Sequence, residues 1–322
     1  MPERIGALIE VLLQSIPDPK QARRYLTRFR QESGAAFERL ANSPTALRYM
    51  ITTFSYSRFL AEEVLRYPNW LTEVAESGDL HRVLSAEELE ERLRKSAPSP
   101  APLDLARFRR RQILRILLRD VLGIATLAEV AEELSNLSDA MLEVSYRSIR
   151  DRLAERHGIP QREGNECGFA VLSLGKLGGK ELNYSSDIDL MFVYGGEGQT
   201  GGPEPISNKE FYKKVSNQYT ELLSTHTTEG FCYRVDLRLR PDGRLGEVCL
   251  SLDGARRYYE TRARDWELQM LIKARISAGD RDVGRALLDF VEPKIYSTTL
   301  DFRAVESVSE TRQRIGEKLS AR

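Results

Sequence analysis

Cysteine and histidine are scarce in this chain, with three of each among 322 residues. Cys167, Cys232 and Cys249 are odd in number and lack C-x-x-C spacing, which argues against both a disulfide scaffold and a zinc site. All three lie in or beside predicted strands. We therefore expect buried free thiols, in keeping with a reducing, cytoplasmic location.

Long apolar runs and an excess of one charge are also missing. No apolar stretch approaches the roughly 20 residues that a membrane helix needs, and the N-terminal patch, interrupted by Glu10, has no small-residue cleavage site. We expect neither a signal peptide nor contact with a membrane. Lysine plus arginine and aspartate plus glutamate are equal at 48 each, so no overall field favours nucleic acid.

The first half of the chain is predicted to be helical. Apolar residues recur at helical spacing from Pro19 to about Ser77, and Asn42-Ser43-Pro44 is typical of a helix start. Thr126-Leu127-Ala128-Glu129 fits a capping box that opens a long helix ending near His157-Gly158. We predict a helical region over residues 1–158 and a second, sheet-containing domain over 159–322.

The basic cluster Arg107–Arg111 allows two interpretations. It could bind an acidic partner or a phosphate, or it could be a solvated helix face whose charges are paired in salt bridges. The second interpretation is the one we favour from the sequence.

The segment Gly168–Tyr194, GFAVLSLGKLGGKELNYSSDIDLMFVY, organises the rest of the chain. Its continuous apolar run from Phe169 to Leu174 predicts a central strand covered on both faces. The glycine-rich turn Gly175–Gly179 follows, where the backbone can approach a ligand closely.

A second strand is predicted to follow this turn, with two carboxylates at its start. Because strand side chains alternate, Asp187 and Asp189 should share one face. Adjacent like charges repel unless a cation lies between them, and carboxylate oxygens suit magnesium. A D-x-D pair alone is common at strand ends, but the strand, glycine turn, Ser185-Ser186 and D-x-D together indicate a metal site.

A third strand is predicted from Phe231 to Leu239. Its alternation places Asp236, Arg238 and Arg240 on one face, where three charges are costly unless they meet metal and phosphate. The alternative is an exposed face of an edge strand. Further on, Gly254 to Arg275 is predicted to form one helix that ends with Lys273 and Arg275.

These motifs resemble the nucleotidyltransferase fold of the DNA polymerase beta superfamily. More narrowly, GKLGGKELNYSSDIDLMF, DLRLRPDG and RDWELQMLIKARISAGD are similar to the glutamine synthetase adenylyltransferase/adenylyl-removing family. The resemblance spans nearly the whole chain. It implies an α+β fold, in which a mixed-sheet nucleotidyltransferase domain is embedded in a largely helical chain.

The resemblance also implies which residues act. Asp187, Asp189 and Asp236 would hold Mg²⁺ and form the catalytic set, with Asp236 supplied by a strand that adjoins the D-x-D strand. Nucleotide and phosphate would be bound by a larger set, namely Gly175, Lys176, Gly178, Gly179, Ser185, Ser186, Arg238, Arg240, Lys273 and Arg275.

Members of this family carry two such domains, and the resemblance is closer to the N-terminal copy, which follows a helical region. That copy removes AMP from a tyrosine of glutamine synthetase, using phosphate and releasing ADP. The partners implied are glutamine synthetase, AMP, ADP, ATP and phosphate, and a PII-type signal protein is a further candidate. The chain ends before the family's second domain, so we expect it to be truncated relative to the family, as a fragment or a shortened gene.

Three alternatives stay open at the level of sequence. The domain could transfer AMP from ATP onto glutamine synthetase, or it could be a polymerase-like or tRNA-modifying nucleotidyltransferase, which the zero net charge disfavours. It could also be a non-catalytic regulatory or interaction module. Retention of three carboxylates counts against that last possibility, because binding alone does not require them.

Overall fold

A computed structural model describes residues 2–296 of the chain. The described residues form two compact units, one made of residues up to Leu89 plus Ala106–Leu137, and the other of Glu90–Leu105 plus the chain from Ser138 onward. The first half of the chain is helical, as predicted. Its helices are α1 (Pro2–Gln14), α2 (Pro19–Glu32), α3 (Gly34–Ala41), α4 (Pro44–Tyr56), α5 (Arg58–Arg66), α6 (Asn69–Glu76), a 3₁₀ turn at Asp79–His81, α7 (Ala86–Ser96), α8 (Pro102–Val121) and α9 (Leu127–His157).

The predicted helix ends are confirmed. The Ser43 hydroxyl accepts a hydrogen bond from the backbone N–H of Ala46 at the start of α4. Thr126 and Glu129 bond each other reciprocally before α9. Gly158, which follows α9, has a φ of 82°, a value that favours glycine.

The basic cluster belongs to a salt-bridged helix face in the first unit. Arg110 pairs with Glu63 at 2.7 Å and Arg111 with Glu73 at 2.8 Å. The predicted pairing is confirmed for both arginines, and the solvated face is confirmed for Arg111, whereas Arg110 is largely buried against the buried Glu63.

The second unit continues with short strands and helices. They are β1 (Pro160–Arg162), β2 (Asn165–Glu166), β3 (Phe169–Ser173), α10 (Gly175–Gly178), β4 (Ile188–Tyr194), β5 (Gln199–Thr200), α11 (Asn208–Ser224), β6 (Val235–Asp236), a 3₁₀ turn at Gly243–Leu245, β7 (Cys249–Ser251), α12 (Leu252–Thr261), α13 (Asp265–Met270), a 3₁₀ turn at Leu271–Lys273, β8 (Arg275–Gly279) and α14 (Arg281–Ile295).

The main sheet is mixed and has five strands. Its order is β6-β4-β3-β8, and β7 also pairs with β4. Strand β3 is antiparallel to β4 and β8, whereas β6 and β7 run parallel to β4. The α+β class with a mixed sheet is thus confirmed.

Strand β3 is buried along its whole length, as its apolar run predicts. On one face, Phe169 stacks on Tyr146 of α9 and Tyr212 of α11, with ring centroids 5.4 and 5.0 Å apart. On the other face, Leu172 belongs to a buried cluster with residues of α12 and α14, including Leu287. Helices therefore cover both sides of the strand.

Three expectations about local structure need correction or comment. The predicted helix Gly254–Arg275 is wrong, because the chain breaks into α12, α13 and a 3₁₀ turn, and Arg275 begins β8. The predicted domain boundary at residue 158 stays a prediction, and α9, which ends at His157, packs on the sheet through Tyr146. The part of the predicted catalytic domain at 297–322 lies outside the described residues.

The three cysteines are free and buried, as expected. Among residues 2–296, none of the helices has both the length and the apolar composition that crossing a bilayer requires.

Candidate active site

The start of β4 brings two carboxylates together. Asp189 on β4 is the register partner of Asp236 on the parallel strand β6. Partners on adjacent parallel strands project to the same face, so these two side chains lie side by side. The prediction that Asp236 comes from a strand adjoining the D-x-D strand is confirmed.

Gly175 provides the space that Asp189 occupies. A Cβ atom at position 175 would lie 2.6 Å from Oδ2 of Asp189, and the φ of Gly175 is 55°. Both the contact and the backbone conformation require glycine here. The lack of a side chain at Gly175 therefore leaves room for the Asp189 carboxylate, in addition to permitting the backbone conformation of the turn.

The two paired carboxylates differ in electrostatic surroundings. Asp189 is half-buried, and its carboxylate has no hydrogen-bond or ion-pair partner among residues 2–296. Burial raises the pKa of Asp189 above its ordinary value, and repulsion from Asp236 adds to the rise. The pKa of Asp236 is lowered instead, mainly by its side-chain hydrogen bonds with Arg238.

Asp187 lies one residue before β4 and forms an ion pair with Arg234. The same guanidinium donates to the carbonyl oxygen of Ser185 at 3.4 Å. Arg238 contacts both oxygens of Asp236, with its Nε 2.7 Å from Oδ2 and 2.9 Å from Oδ1. Two of the three predicted metal ligands are thus turned towards arginines.

No group of three or more Asp, Glu, His and Cys side chains within residues 2–296 is arranged to hold a metal ion. The donor chemistry nevertheless fits Mg²⁺, since Asp189 and Asp236 present hard oxygen ligands on adjacent strands and Asp189 has no competing partner. The metal role of Asp187, Asp189 and Asp236 stays a prediction.

A cavity of about 420 Å³ opens at these side chains. We call it the carboxylate cavity. It is lined by two aspartates, four arginines and two aliphatic residues, namely Asp187, Asp236, Arg234, Arg238, Arg240, Arg244, Val235 and Leu237. Of these four arginines, Arg234, Arg238 and Arg244 present guanidinium groups that suit a ligand with several negative oxygens, such as a phosphate chain.

The predicted strand Phe231–Leu239 is wrong on both sides of β6, which contains only Val235 and Asp236. The backbone N–H of Arg238 donates to Oδ1 of Asp236 at 2.8 Å, which turns the chain out of the sheet. The alternation that placed Arg238 and Arg240 on one strand face therefore does not apply.

The side chain of Arg240 forms hydrogen bonds within the loop between β6 and β7. Its guanidinium donates to four carbonyl oxygens, those of Leu237 at 2.7 Å, Gly246 at 3.0 Å, Glu247 at 3.0 Å and Arg244 at 3.5 Å. These bonds join the two ends of the loop, so the placement of Arg240 gives its predicted phosphate contact no support, and that role stays a prediction.

The glycine segment is one turn of helix, α10, rather than an open turn. The N–H groups of Gly178 and Gly179 are directed to the carbonyl oxygens of Leu174 and Gly175. A Cβ at Gly178 would lie 2.1 Å from the carbonyl oxygen of Lys273, so close packing explains this glycine. Phosphate binding by Gly175, Lys176, Gly178 and Gly179 stays a prediction.

The other predicted phosphate ligands occupy different surroundings. Ser186 donates to Oδ1 of Asn183 at 2.5 Å, and Ser185 is exposed beside Arg234. Lys273 forms an exposed ion pair with Glu181 at 2.7 Å. Their roles at phosphate stay predictions.

The side chain of Arg275 links β8 to α9 and α10. Its guanidinium makes a double contact with the buried carboxylate of Asp139 on α9, at 2.7 and 3.0 Å, and donates to the carbonyl oxygen of Leu177 at 3.0 Å. This geometry fixes β8 and α10 to the helix, and it offers no support for phosphate binding by Arg275.

Sequence reasoning missed Arg234 and Arg244, which line the carboxylate cavity, and Asp139. The arginines flank Asp236 at short range and could have been found from that proximity. Asp139 sits in the apolar stripe of a long helix, where a lone acid is a weak signal of a buried partner.

The fold and the site together define a nucleotidyltransferase-type domain, with a mixed sheet under helices and adjacent carboxylates on neighbouring parallel strands. Residues 47–289 match the family model described as glutamate-ammonia ligase adenylyltransferase. The chain belongs to this family.

Three relatives show the extent of the match. Each is named bifunctional glutamine synthetase adenylyltransferase/adenylyl-removing enzyme. The chain is 37% identical to the one from Thioalkalivibrio sulfidiphilus over 85% of its length, 36% to that of Pseudomonas syringae pv. tomato over 96%, and 38% to that of Pseudomonas aeruginosa over 82%. The matches cover 29%, 32% and 28% of those relatives, so the chain spans about a third of their length.

Proposed function

We propose that this chain removes AMP from a tyrosine of glutamine synthetase by phosphorolysis, with phosphate as the second substrate and ADP as the product. The observation that carries the proposal is the pairing of Asp189 with Asp236 beside a cavity lined by four arginines. Adjacent carboxylates and a basic rim suit transfer of a nucleotidyl group between oxygens. The helical region ahead of the sheet favours removal over transfer, because the removing copy of the family has this arrangement.

Each reaction exchanges one bond. An oxygen of hydrogen phosphate forms a bond to the α-phosphorus, and the bond from that phosphorus to the tyrosine Oη breaks. Hydrogen phosphate gives up its proton, and the tyrosine gains one, so the products are ADP and a free tyrosine. An ordinary tyrosine pKa near ~10 makes the phenolate an adequate leaving group.

No strong general acid is required, and no histidine lines the carboxylate cavity. The ring of His157 instead bonds the carbonyl oxygen of Glu204 at 2.8 Å, and that of His226 packs on Phe231. Proton exchange with solvent at the open cavity is sufficient.

The residues of the chain bind and orient the phosphates. Arg234 and Arg238 are exposed and lie in the cavity, where they can turn from aspartate to phosphate oxygens. Mg²⁺ would be held by Asp189 and Asp236, with Asp187 as a third ligand, and would neutralise charge that develops at the transferring phosphate.

The test mixes the chain with adenylylated glutamine synthetase, Mg²⁺ and phosphate, and measures ADP. Asp236→Asn should lower the rate by about 100-fold or more, in line with loss of a group that stabilises the transition state. Asp289→Asn, an exposed aspartate on α14, is the matched control and should keep full activity. Circular dichroism on each variant separates loss of chemistry from loss of fold.

A second assay addresses the transfer reaction. The chain is mixed with unmodified glutamine synthetase and ATP labelled at the α-phosphate, and incorporation of AMP is measured. Incorporation without ADP release in the first assay would assign the transferring activity and overturn our proposal. Activity in neither assay, from a folded chain, would favour a regulatory module.

A further inference from the structure

A second cavity adjoins the carboxylate cavity along the same loop. It has a volume of about 710 Å³ and is lined by Asp242, Gly243, Leu245, Tyr258, Arg262, Arg264, Trp266 and Glu267. We call it the aromatic cleft. Arg244 lines the carboxylate cavity while its neighbours Gly243 and Leu245 line the aromatic cleft. The loop from β6 to β7 thus borders both.

The loop is held in a fixed conformation. Arg240 joins its ends through three carbonyl oxygens, and the backbone N–H of Asp242 donates to the hydroxyl of Tyr258 at 3.2 Å. Asp242 also forms an ion pair with Arg262 at 2.8 Å. The φ values of Asp242 and Gly243, 59° and 56°, define a tight turn.

The floor of the cleft is also held by hydrogen bonds. The Tyr258 hydroxyl donates to the buried Glu267 carboxylate at 2.5 Å, and that carboxylate accepts the backbone N–H of Arg264 at 2.9 Å. The guanidinium of Arg262 lies over the Tyr258 ring, 5.5 Å from its centroid. The surface of the cleft is therefore preorganised.

This rigid framework presents apolar side chains to solvent. Leu245 is 97% exposed and Trp266 is 39% exposed, and both line the cleft. A single exposed leucine is ordinary, but a leucine and a tryptophan on one rigid surface, with arginines beside them, have the composition of a protein-contact site.

We infer that the aromatic cleft binds the polypeptide segment next to the modified tyrosine of the protein substrate. The inference rests on the proposed function, because the reacting tyrosine must enter the carboxylate cavity while the chain that carries it passes over the adjoining surface. Leu245 and Trp266 supply apolar anchors, and the exposed Arg264 suits acidic residues of the segment.

The test compares a protein substrate with a small one. The small substrate is O-adenylyl-tyrosine, which reaches the carboxylate cavity but has no flanking chain. For Leu245→Ser and Trp266→Ala, we expect kcat/KM with adenylylated glutamine synthetase to fall on the order of tenfold, as for loss of an interface hot spot. The rates of both variants with O-adenylyl-tyrosine should match the rate of the chain without these substitutions.

Leu127→Ser is the matched control, since Leu127 is 82% exposed at the start of α9 and lines neither cavity. It should change neither rate. A parallel measurement determines the Kd of each variant for adenylylated glutamine synthetase by biolayer interferometry, and the two cleft variants should bind about tenfold more weakly.

The outcomes separate the two proposals. An equal fall of kcat/KM with both substrates in the cleft variants, or no fall with either substrate, would overturn docking in the cleft. If the unmodified chain releases ADP from neither substrate, the proposed function fails. Docking is then decided by the binding measurement alone, where weaker binding of the cleft variants than of Leu127→Ser supports it and equal binding overturns it.

Discussion

Asp189 is the residue where function and stability oppose each other most directly. Its carboxylate is half-buried, lies beside Asp236 and has no partner among the described residues. Because its pKa is raised, the folded chain binds this proton more tightly than the unfolded chain does. Its contribution to stability is greatest at acid pH and is lost as the pH rises through the raised pKa.

Replacing Asp189 by asparagine should therefore stabilise the protein while abolishing activity. Because solvent screens this half-exposed carboxylate, we expect the free energy of unfolding at pH 7 to rise by at most about 0.5–1 kcal/mol, measured by urea denaturation. The gain should shrink as the pH is lowered towards the ordinary aspartate range. Asp187→Asn removes an exposed carboxylate paired with Arg234 and should stay within about 0.5 kcal/mol of the unmodified chain. A loss of stability in Asp189→Asn would contradict this reasoning.

Arg238 should have opposite effects on the two kinds of ligand. Its guanidinium covers the carboxylate of Asp236, so it competes with a cation, yet it lies in a cavity suited to phosphate. Because an exposed ion pair is weak, Arg238→Gln should tighten Mn²⁺ binding by up to about fivefold. Affinity for ADP should fall by about tenfold or more, because a charged hydrogen bond is lost.

Electron paramagnetic resonance of Mn²⁺ and calorimetry with ADP measure these two affinities. Arg257→Gln, an exposed arginine on α12, is the control and should change neither. Weaker Mn²⁺ binding in Arg238→Gln would show that the arginine supports the cation site rather than competing with it.

At the scale of elements, the ion pair between Arg275 and Asp139 joins β8 to α9 across 136 residues of sequence. Burial raises the pKa of Asp139, and the hydrogen bond from Arg275 opposes that rise. Removing Arg275 alone would leave a buried carboxylate without its counterpart, whereas also replacing Asp139 by a neutral residue removes that uncompensated charge.

Arg275→Met should lower the free energy of unfolding by about 3 kcal/mol, the usual cost of breaking a buried pair. Adding Asp139→Asn to the same chain should recover most of that loss, as a urea titration of the single and double variants would show. The KM for phosphate in the double variant tests the role that the sequence suggested for Arg275. We expect an unchanged KM for phosphate, because Arg275 is bound to Asp139. A rise of tenfold or more would instead support phosphate binding by Arg275.

The elements that sequence could predict are those whose signal is local. The run Phe169–Leu174 and the D-x-D strand are continuous apolar segments, and both occur as β3 and β4. The alternation of charged and apolar residues after Asp236 also predicts a strand. It fails because a side chain two residues away captures the backbone N–H of Arg238, which alternation does not report.

The candidate site was predictable to the same extent. Motif and alternation predict Asp187, Asp189 and Asp236 as site residues, and of this prediction the neighbouring positions of Asp189 and Asp236 are confirmed. The pairing of Asp187 with Arg234 and of Arg275 with Asp139 depends on tertiary approach, for which the sequence has no local signal.

At the scale of the whole molecule, side chains of residues 2–296 pack against both faces of the sheet. The core around β3 consists of side chains from α9, α11, α12 and α14, and the carboxylates lie at its exposed end. Proteins folded by a metal lose their structure on chelation because metal binding supplies folding free energy. Here the cation site and the core are separate.

Chelation should therefore abolish activity without unfolding the chain. We expect EDTA to shift Tm by less than about 1 °C, because within residues 2–296 the core around β3 is packed by side chains and the carboxylates lie apart from it. Mg²⁺ with ADP at about 100 times its Kd should stabilise the folded chain by about 2.7 kcal/mol, since the ligand binds only the folded state. Differential scanning calorimetry with and without each addition measures both effects, and Asp236→Asn should lose the second one selectively. A large drop of Tm in EDTA would instead mean that a metal forms part of the folded structure.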